Sequence, residues 1–303
     1  MRARATLGVS LRNVNVADHL SLEQTPAGLT RALISTPLAE ATVYLHGAHV
    51  ATWTPRGHHP VLYLSPRSHF EPDQPIRGGV PICFPWFGPR SDGQPGPMHG
   101  FARLAEWTLE NAQLRPGGAV ELSMTLDPND ASRQLGFDAF HLRYRVVIGT
   151  TLEMELEVHN LSSHPFHFEE ALHTYFSVGD INKVGITGLG GTTYIDKTDA
   201  FKQKTASERI LITKETDQVH LDTTGTCEIA DAAWKRTIRI EKSGSNTTVV
   251  WNPWIEKNKT LADMPPDDWQ HMLCIETVNA AGNAVQLPPG EVHKMKAAIS
   301  VKQ

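Results

Sequence analysis

The chain has 303 residues, 40% of them hydrophobic and 20% charged, with a formal charge of −5. This length and balance suit one large globular domain with a sizeable core. The slightly acidic charge gives no field to hold nucleic acid or an anionic membrane. Three cysteines, Cys83, Cys227 and Cys274, lie without C-x-x-C spacing, so reduced thiols in a cytoplasmic setting are expected rather than a disulfide or zinc scaffold. Residues 1–20 include Asn13, Asn15, Asp18 and His19 and lack the apolar run of a signal peptide. No stretch reaches the roughly 18 apolar residues of a membrane span. They read as a peripheral extension of a single domain spanning 1–303.

Along the chain the dominant period is two. A strand is predicted at 42–53, followed by a long segment rich in Gly, Pro and aromatic residues at 75–103. After the Pro116-Gly117-Gly118 turn, Val120, Leu122, Met124 and Leu126 alternate with polar residues, and 129–136 is a short helical piece. Leu142, Tyr144, Val146 and Ile148 form the next strand. Gly149-Thr150 turns it into Leu152, Met154, Leu156 and Val158, which alternate with Glu153, Glu155, Glu157 and His159. Further strands are predicted at 165–178, 234–242, 247–252, 272–278 and 293–301, with a second Trp-rich loop at 251–270 that holds a helical piece at 255–262. Turn signals at Gly190-Gly191, Gly244 and Pro288-Pro289-Gly290 separate elements, and no repeat or linker divides the chain. The pattern is that of an all-β fold, two antiparallel sheets packed face to face.

Several residues stand out for their chemistry. In 167–178 one strand face carries Phe168, Leu172, Phe176 and Val178, which leaves His167, Glu169, His173 and Tyr175 on the other. His173 is thus a candidate acid or base, although with 15 histidines in the chain an edge or surface role is the plain alternative. Glu276 shares its face with Met272, Cys274 and Val278. Burial there would raise its pKa toward that of a general base, unless an arginine or backbone amides satisfy it. Arg77, Arg90 and Arg103, with His99 beside Gly100, offer forked donors for a phosphate, or are ordinary loop arginines. Trp251, Trp254 and Trp269 either stack on a sugar or anchor their loop. The pairs His46/His49, His58/His59 and His164/His167 match no metal-ligand motif, and no nucleotide-loop or serine-hydrolase signature occurs. Neither a metal nor a cofactor is expected.

The segments RGGVPICFPWFGPR (77–90), HGFAR (99–103), LHTYFSVGDI (172–181), TVVWNPWIEK (248–257) and CIETVN (274–279) together resemble the glucose-6-phosphate 1-epimerases, or hexose-6-phosphate mutarotases, of the aldose 1-epimerase superfamily. The resemblance implies a galactose-mutarotase-like β-supersandwich that interconverts the α and β anomers of a hexose 6-phosphate without cofactor; a monomer is expected. It implies that His173 is the catalytic histidine and Glu276 the catalytic carboxylate. Glu276 would take the proton of the C1 hydroxyl while His173 gives one to the ring oxygen. Arg77, His99, Arg103 and, in TYID, Asp196 match substrate-holding positions. Met98 stands where relatives can carry a glutamine, which bears on sugar preference. A mutarotase for unphosphorylated aldoses and a non-catalytic carbohydrate-binding protein are the competing readings.

Overall fold

The computed structural model describes residues 14–16 and 18–303; for residues 1–13 and 17 the reading of the N-terminal extension lies outside the described residues. The alternating runs in the middle of the chain build the centre of a nine-stranded sheet. Its order is Val14–Asn15, Thr108–Leu114, Val120–Leu126, Phe140–Ile148, Leu152–Asn160, Val292–Lys302, Arg236–Ser243, Cys227–Asp231 and Val184–Thr187. Leu122, Met124, Leu142, Tyr144, Val146, Leu152, Leu156 and Val158 are all fully buried on one face. Each such side chain contributes about 1.5–3 kcal/mol of apolar burial, less the cost of ordering it. Alternation predicts a wet opposite face, yet Glu121 and Glu155 are buried there in a cluster with Arg115, Arg145 and Lys296.

The second large sheet runs Lys202–Thr205, Thr193–Asp196, Thr216–Leu221, Thr247–Asn252, Met272–Asn279, Glu170–Leu172 and Ile82–Cys83, with Tyr175–Ser177 also paired to Met272–Asn279. Met272–Asn279 is buried along its whole length, so its two faces are both covered and do different work. Leu273 and Ile275 join the core shared with the nine-stranded sheet. Met272, Cys274, Glu276 and Val278 turn the other way, onto the face that carries the candidate site. A four-stranded sheet, Leu20–Gln24, Thr30–Ser35, Ala39–Tyr44 and His49–Pro55, and a ribbon of Phe166–Phe168 with Val285–Leu287 complete the strands. The two short helices form at Asp130–Gln134, capped by Asn129 and Ser132, and at Trp254–Lys259.

Two predicted strands are broken, and both breaks position site residues. Residues 42–53 divide into Ala39–Tyr44 and His49–Pro55. The chain turns between them through Gly47 and Ala48, both at positive φ. Gly47 donates its N–H to the Ala105 carbonyl, and a Cβ there would lie 2.7 Å from the Arg103 carbonyl oxygen. Only glycine lets this turn seat the segment that bears Arg103. Residues 165–178 divide into Phe166–Phe168, Glu170–Leu172 and Tyr175–Ser177. The last two pair with the same strand, Leu172 opposite Thr277 and Tyr175 opposite Cys274. The gap between them falls at His173 and Thr174, across from Glu276, and the His173 N–H is satisfied by the Pro81 carbonyl instead.

Candidate active site

Glu276 and His173 meet at that gap. His173 Nε2 lies 3.4 Å from Glu276 Oε1, and both side chains are almost fully buried. Glu276 Oε2 and His173 Nδ1 have no hydrogen-bond partner. Leaving such atoms unpaired costs about 1–3 kcal/mol each, the kind of cost that a site meeting a ligand carries. Tyr175 stacks on the imidazole with ring centroids 4.8 Å apart, and Trp251 closes on its edge at 6.3 Å.

The long segment 75–103 supplies the opposite wall. Arg77 is fixed by Asp263 of the Trp-rich loop, 3.0 Å from its Nε, and donates to the Tyr175 hydroxyl at 3.1 Å. His99, itself at positive φ, lies with its ring 5.4 Å from that of His173. A Cβ on the following Gly100 would meet the Phe84 carbonyl oxygen at 2.0 Å, so this tight passage requires glycine. The His99 Nδ1 accepts the Gly88 N–H, so neutral His99 carries its proton on Nε2 and offers a donor. Arg103 donates through Nη2 to the Met98 carbonyl at 2.8 Å, its buried Nε has no partner, and among the described residues no carboxylate pairs with it. The Met98 contact runs through the backbone; its side chain is exposed.

Not every residue singled out from the sequence arrives here. Arg90 turns away to Asp92, the Leu135 carbonyl and the Trp86 ring. Asp196 lies on the opposite face of its strand, held by Thr198 and Lys204. The face toward the site instead carries Ile195 and, from the neighbouring strand, Asp217 and Val219. Lys197, directly after Asp196, pairs with Asp217 at 3.5 Å and stands 5.1 Å over the Phe87 ring. Sequence reasoning misses Lys197 and Asp217 because a lone lysine or aspartate in or beside a short, polar strand has no periodic signal, and Phe87 because it lies in an irregular segment with several aromatic residues. Of the tryptophans, Trp251 borders the site, while Trp254 and Trp269 pack on each other at a tilt and anchor their loop. His46 contacts the Gln74 carbonyl and His59 stacks on Trp234. His167 is exposed on the separate ribbon. Among the described residues the one potential metal-ligand trio is His173, Cys274 and Glu276, which is this pair with a neighbouring thiol. A separate cleft of about 600 Å³, between Phe101–Glu106 and the Asn129–Leu135 region, holds none of these groups.

Burial pushes Glu276 well above the usual carboxylate range, with Lys197 pulling it down and Asp217 pushing it up. Burial and the charges around His99, Arg103 and Arg77 hold His173 well below the usual histidine range. Burial, with Arg103, Lys197 and Arg77, holds His99 down to about 3. With the chain's own groups alone, then, the pair favours a neutral imidazole beside a protonated carboxyl, and His99 is a neutral donor.

A buried carboxyl–imidazole pair ringed by aromatic faces, a neutral histidine donor and two guanidiniums, set on one face of a large β-sandwich, is an acid–base site of the sugar-isomerase kind. The comparisons agree. The aldose 1-epimerase family profile matches residues 31–300. A Salmonella typhimurium protein bearing the provisional name glucose-6-phosphate 1-epimerase is 37% identical over 249 residues, 82% of each chain. One from Cenchrus ciliaris with the same provisional name is 32% identical over 289 residues, 92% of this chain and 87% of that one. The crystal structure of a provisionally named mutarotase from Salmonella typhimurium superposes with a TM-score of 0.88 at 34% identity, over 94% of each chain. The chain belongs to the aldose 1-epimerase family.

Proposed function

We propose that the chain interconverts the α and β anomers of D-glucose 6-phosphate, with His173 and Glu276 as the acid–base pair. The observation that carries the phosphate is Arg103, an enclosed guanidinium with an unpartnered Nε and no carboxylate beside it among the described residues. Such a cation is stabilised by an anionic ligand, and a phosphate matches its fork. The provisional names of the relatives point to the same substrate.

In the reaction Glu276 takes the proton of the C1 hydroxyl as His173 protonates the ring oxygen, and the C1–O5 bond opens to the aldehyde. Rotation about C1–C2 and reclosure, with the protons returned, gives the other anomer. His173 must carry the extra proton for this, against the electrostatics of the chain's own groups. A phosphate dianion beside Arg103 removes one of the charges that hold the imidazole neutral, so the substrate itself helps to charge its acid. His99 Nε2–H and Arg77 would hold sugar or phosphate oxygens. The acid, the base and the candidate donors complete the site without a second subunit, and we read the chain as a monomeric, single-domain catalyst. The three unpaired, buried cysteines support a cytoplasmic setting.

Two-dimensional NMR exchange between the anomers of glucose 6-phosphate, repeated with glucose and galactose, tests this. Exchange peaks for the phosphate ester, weakened at least about tenfold in kcat/KM by Arg103→Ala while free sugars change little, are the expected result. Exchange of free sugars alone would make the chain an aldose mutarotase, and binding without exchange a carbohydrate-binding protein.

A further inference from the structure

We infer that the Lys197–Asp217 ion pair is a positioning device for Glu276, and that it sets whether the carboxyl is available as a base. The inference rests on the proposed mutarotase reading for its kinetic consequence, but not for its physical one.

Strand register places the three groups on one face. Asp217 pairs with Trp251, and Trp251 with Cys274; one row along, Val219 pairs with Val249, and Val249 with Glu276. Lys197 donates its backbone N–H to the Asp217 carbonyl at 3.0 Å, which puts it in the first of these rows. Its ammonium is drawn back over the sheet, 3.5 Å from the Asp217 carboxylate and 5.1 Å above the Phe87 ring. Phe87 in turn lies 6.4 Å from the His173 ring. The floor between is apolar, built from Ile195, Val219, Val249 and Val278, and both charges are only half-buried, so the field of the pair is screened less than at an open surface.

Arg77 and Arg103 bear on His173, whereas the charges that bear on Glu276 are Lys197 and Asp217, and the remaining groups that face it are neutral. The thiols of Cys83 and Cys274 and the Tyr175 phenol are all pushed up by burial, so they remain neutral. His173 is the proton-exchange partner itself. That leaves Lys197, which favours the Glu276 carboxylate, and Asp217, which opposes it. Because the two charges partly cancel, removing either one uncovers the other, so the two deletions act with opposite signs.

Three variants, Lys197→Met, Asp217→Asn and the double variant, are compared by the pH dependence of kcat/KM and by carbon-13 NMR titration of the Glu276 carboxyl. The NMR titration needs no turnover. Lys197→Met is expected to move the acid limb and the carboxyl titration up by about one pH unit or more. Asp217→Asn should move both down, and the double variant should return near the wild type. Lys197→Arg should restore the wild-type position. Coincident titrations within about 0.3 unit, or shifts of the same sign, would overturn the inference, as would a change confined to KM. A wild type with no anomer exchange would sink the mutarotase reading alone, because the carboxyl titrations still decide this one.

Discussion

Arg236 and Arg103 both carry their guanidinium into the protein, yet only Arg236 meets a carboxylate there. Arg236 Nε lies 3.4 Å from Asp231, its Nη1 donates to the His59 carbonyl at 3.0 Å, and its side chain and that of Asp231 are essentially inaccessible. Asp231 further accepts the backbone N–H groups of Gly179 and Trp234. Arg103 has one backbone acceptor, an unpartnered Nε and no counter-ion among the described residues. The same contrast runs through the carboxylates. Glu121 accepts from Gln113, Arg115 and Arg145 on the outer face of the nine-stranded sheet, whereas Glu276 has only a histidine at 3.4 Å. Around Asp231 and Glu121, which hold the protein together, both carboxylate oxygens are bonded. At Glu276 and Arg103, where we propose that a substrate is met, hydrogen-bonding atoms are left open, at a cost in stability.

The largest effect should come from breaking the open pair. His173→Ala or Glu276→Gln is expected to lower kcat for anomer exchange by about 10²–10⁴, the usual contribution of a positioned acid or base, in a protein whose circular dichroism is unchanged. Exchange within a few-fold of wild type would remove that residue from the mechanism.

The filled pair should answer in stability instead. Arg236→Met leaves Asp231 buried and uncompensated, and should lower the unfolding free energy by about 3–5 kcal/mol. Arg103→Met should leave it unchanged or raised. Urea titration of both variants checks the contrast, and equal losses would erase it.

A third effect is graded by pH. Burial holds His49 and His99 down to about 3 and His220 to about 4. Between those values and about 6.5 the unfolded chain binds protons that the folded one does not. The histidines' share of the stability should therefore be complete above about 6.5 and be lost as the pH is lowered, by at most about 1.4 kcal/mol per unit for each histidine, while the raised Glu106 and Glu276 carboxyls work with the opposite sign. His49→Gln should flatten the slope by one histidine's share. An unaltered slope by denaturant titration at each pH would show that His49 is protonated in the folded state.

The smallest effect belongs to the exposed edge of the paired cluster. Arg145 is about a third exposed and shares Glu121 and Glu155 with Arg115 and Lys296. Arg145→Ala should cost under about 1 kcal/mol by the same titration, since screened and duplicated pairs contribute little.

Much of the fold and part of the site are legible in the order of residues along the chain. Strands such as Leu152–Asn160 and Met272–Asn279 announce themselves because one face is dry and the period is two, and the alternation also puts Glu276 among Met272, Cys274 and Val278. Alternation likewise places His173 with Tyr175, away from Leu172 and Phe176. It does not show that the strand breaks at His173, since that depends on which neighbour pairs with which half. Short strands such as Thr193–Asp196 and Thr216–Leu221 carry too few apolar residues to mark a face.

Local sequence therefore determined the all-β class, the principal strands, the two long irregular segments and the residue types available for acid–base chemistry. Tertiary structure alone decided that His173 stands opposite Glu276, that Arg103 lacks a counter-ion among the described residues while Arg90 finds one, and that Lys197 and Asp217, not Asp196, face the site. A side chain's partners come from strands far apart in the chain, and register and burial, not the residue's own neighbours in sequence, fix its charge and its use.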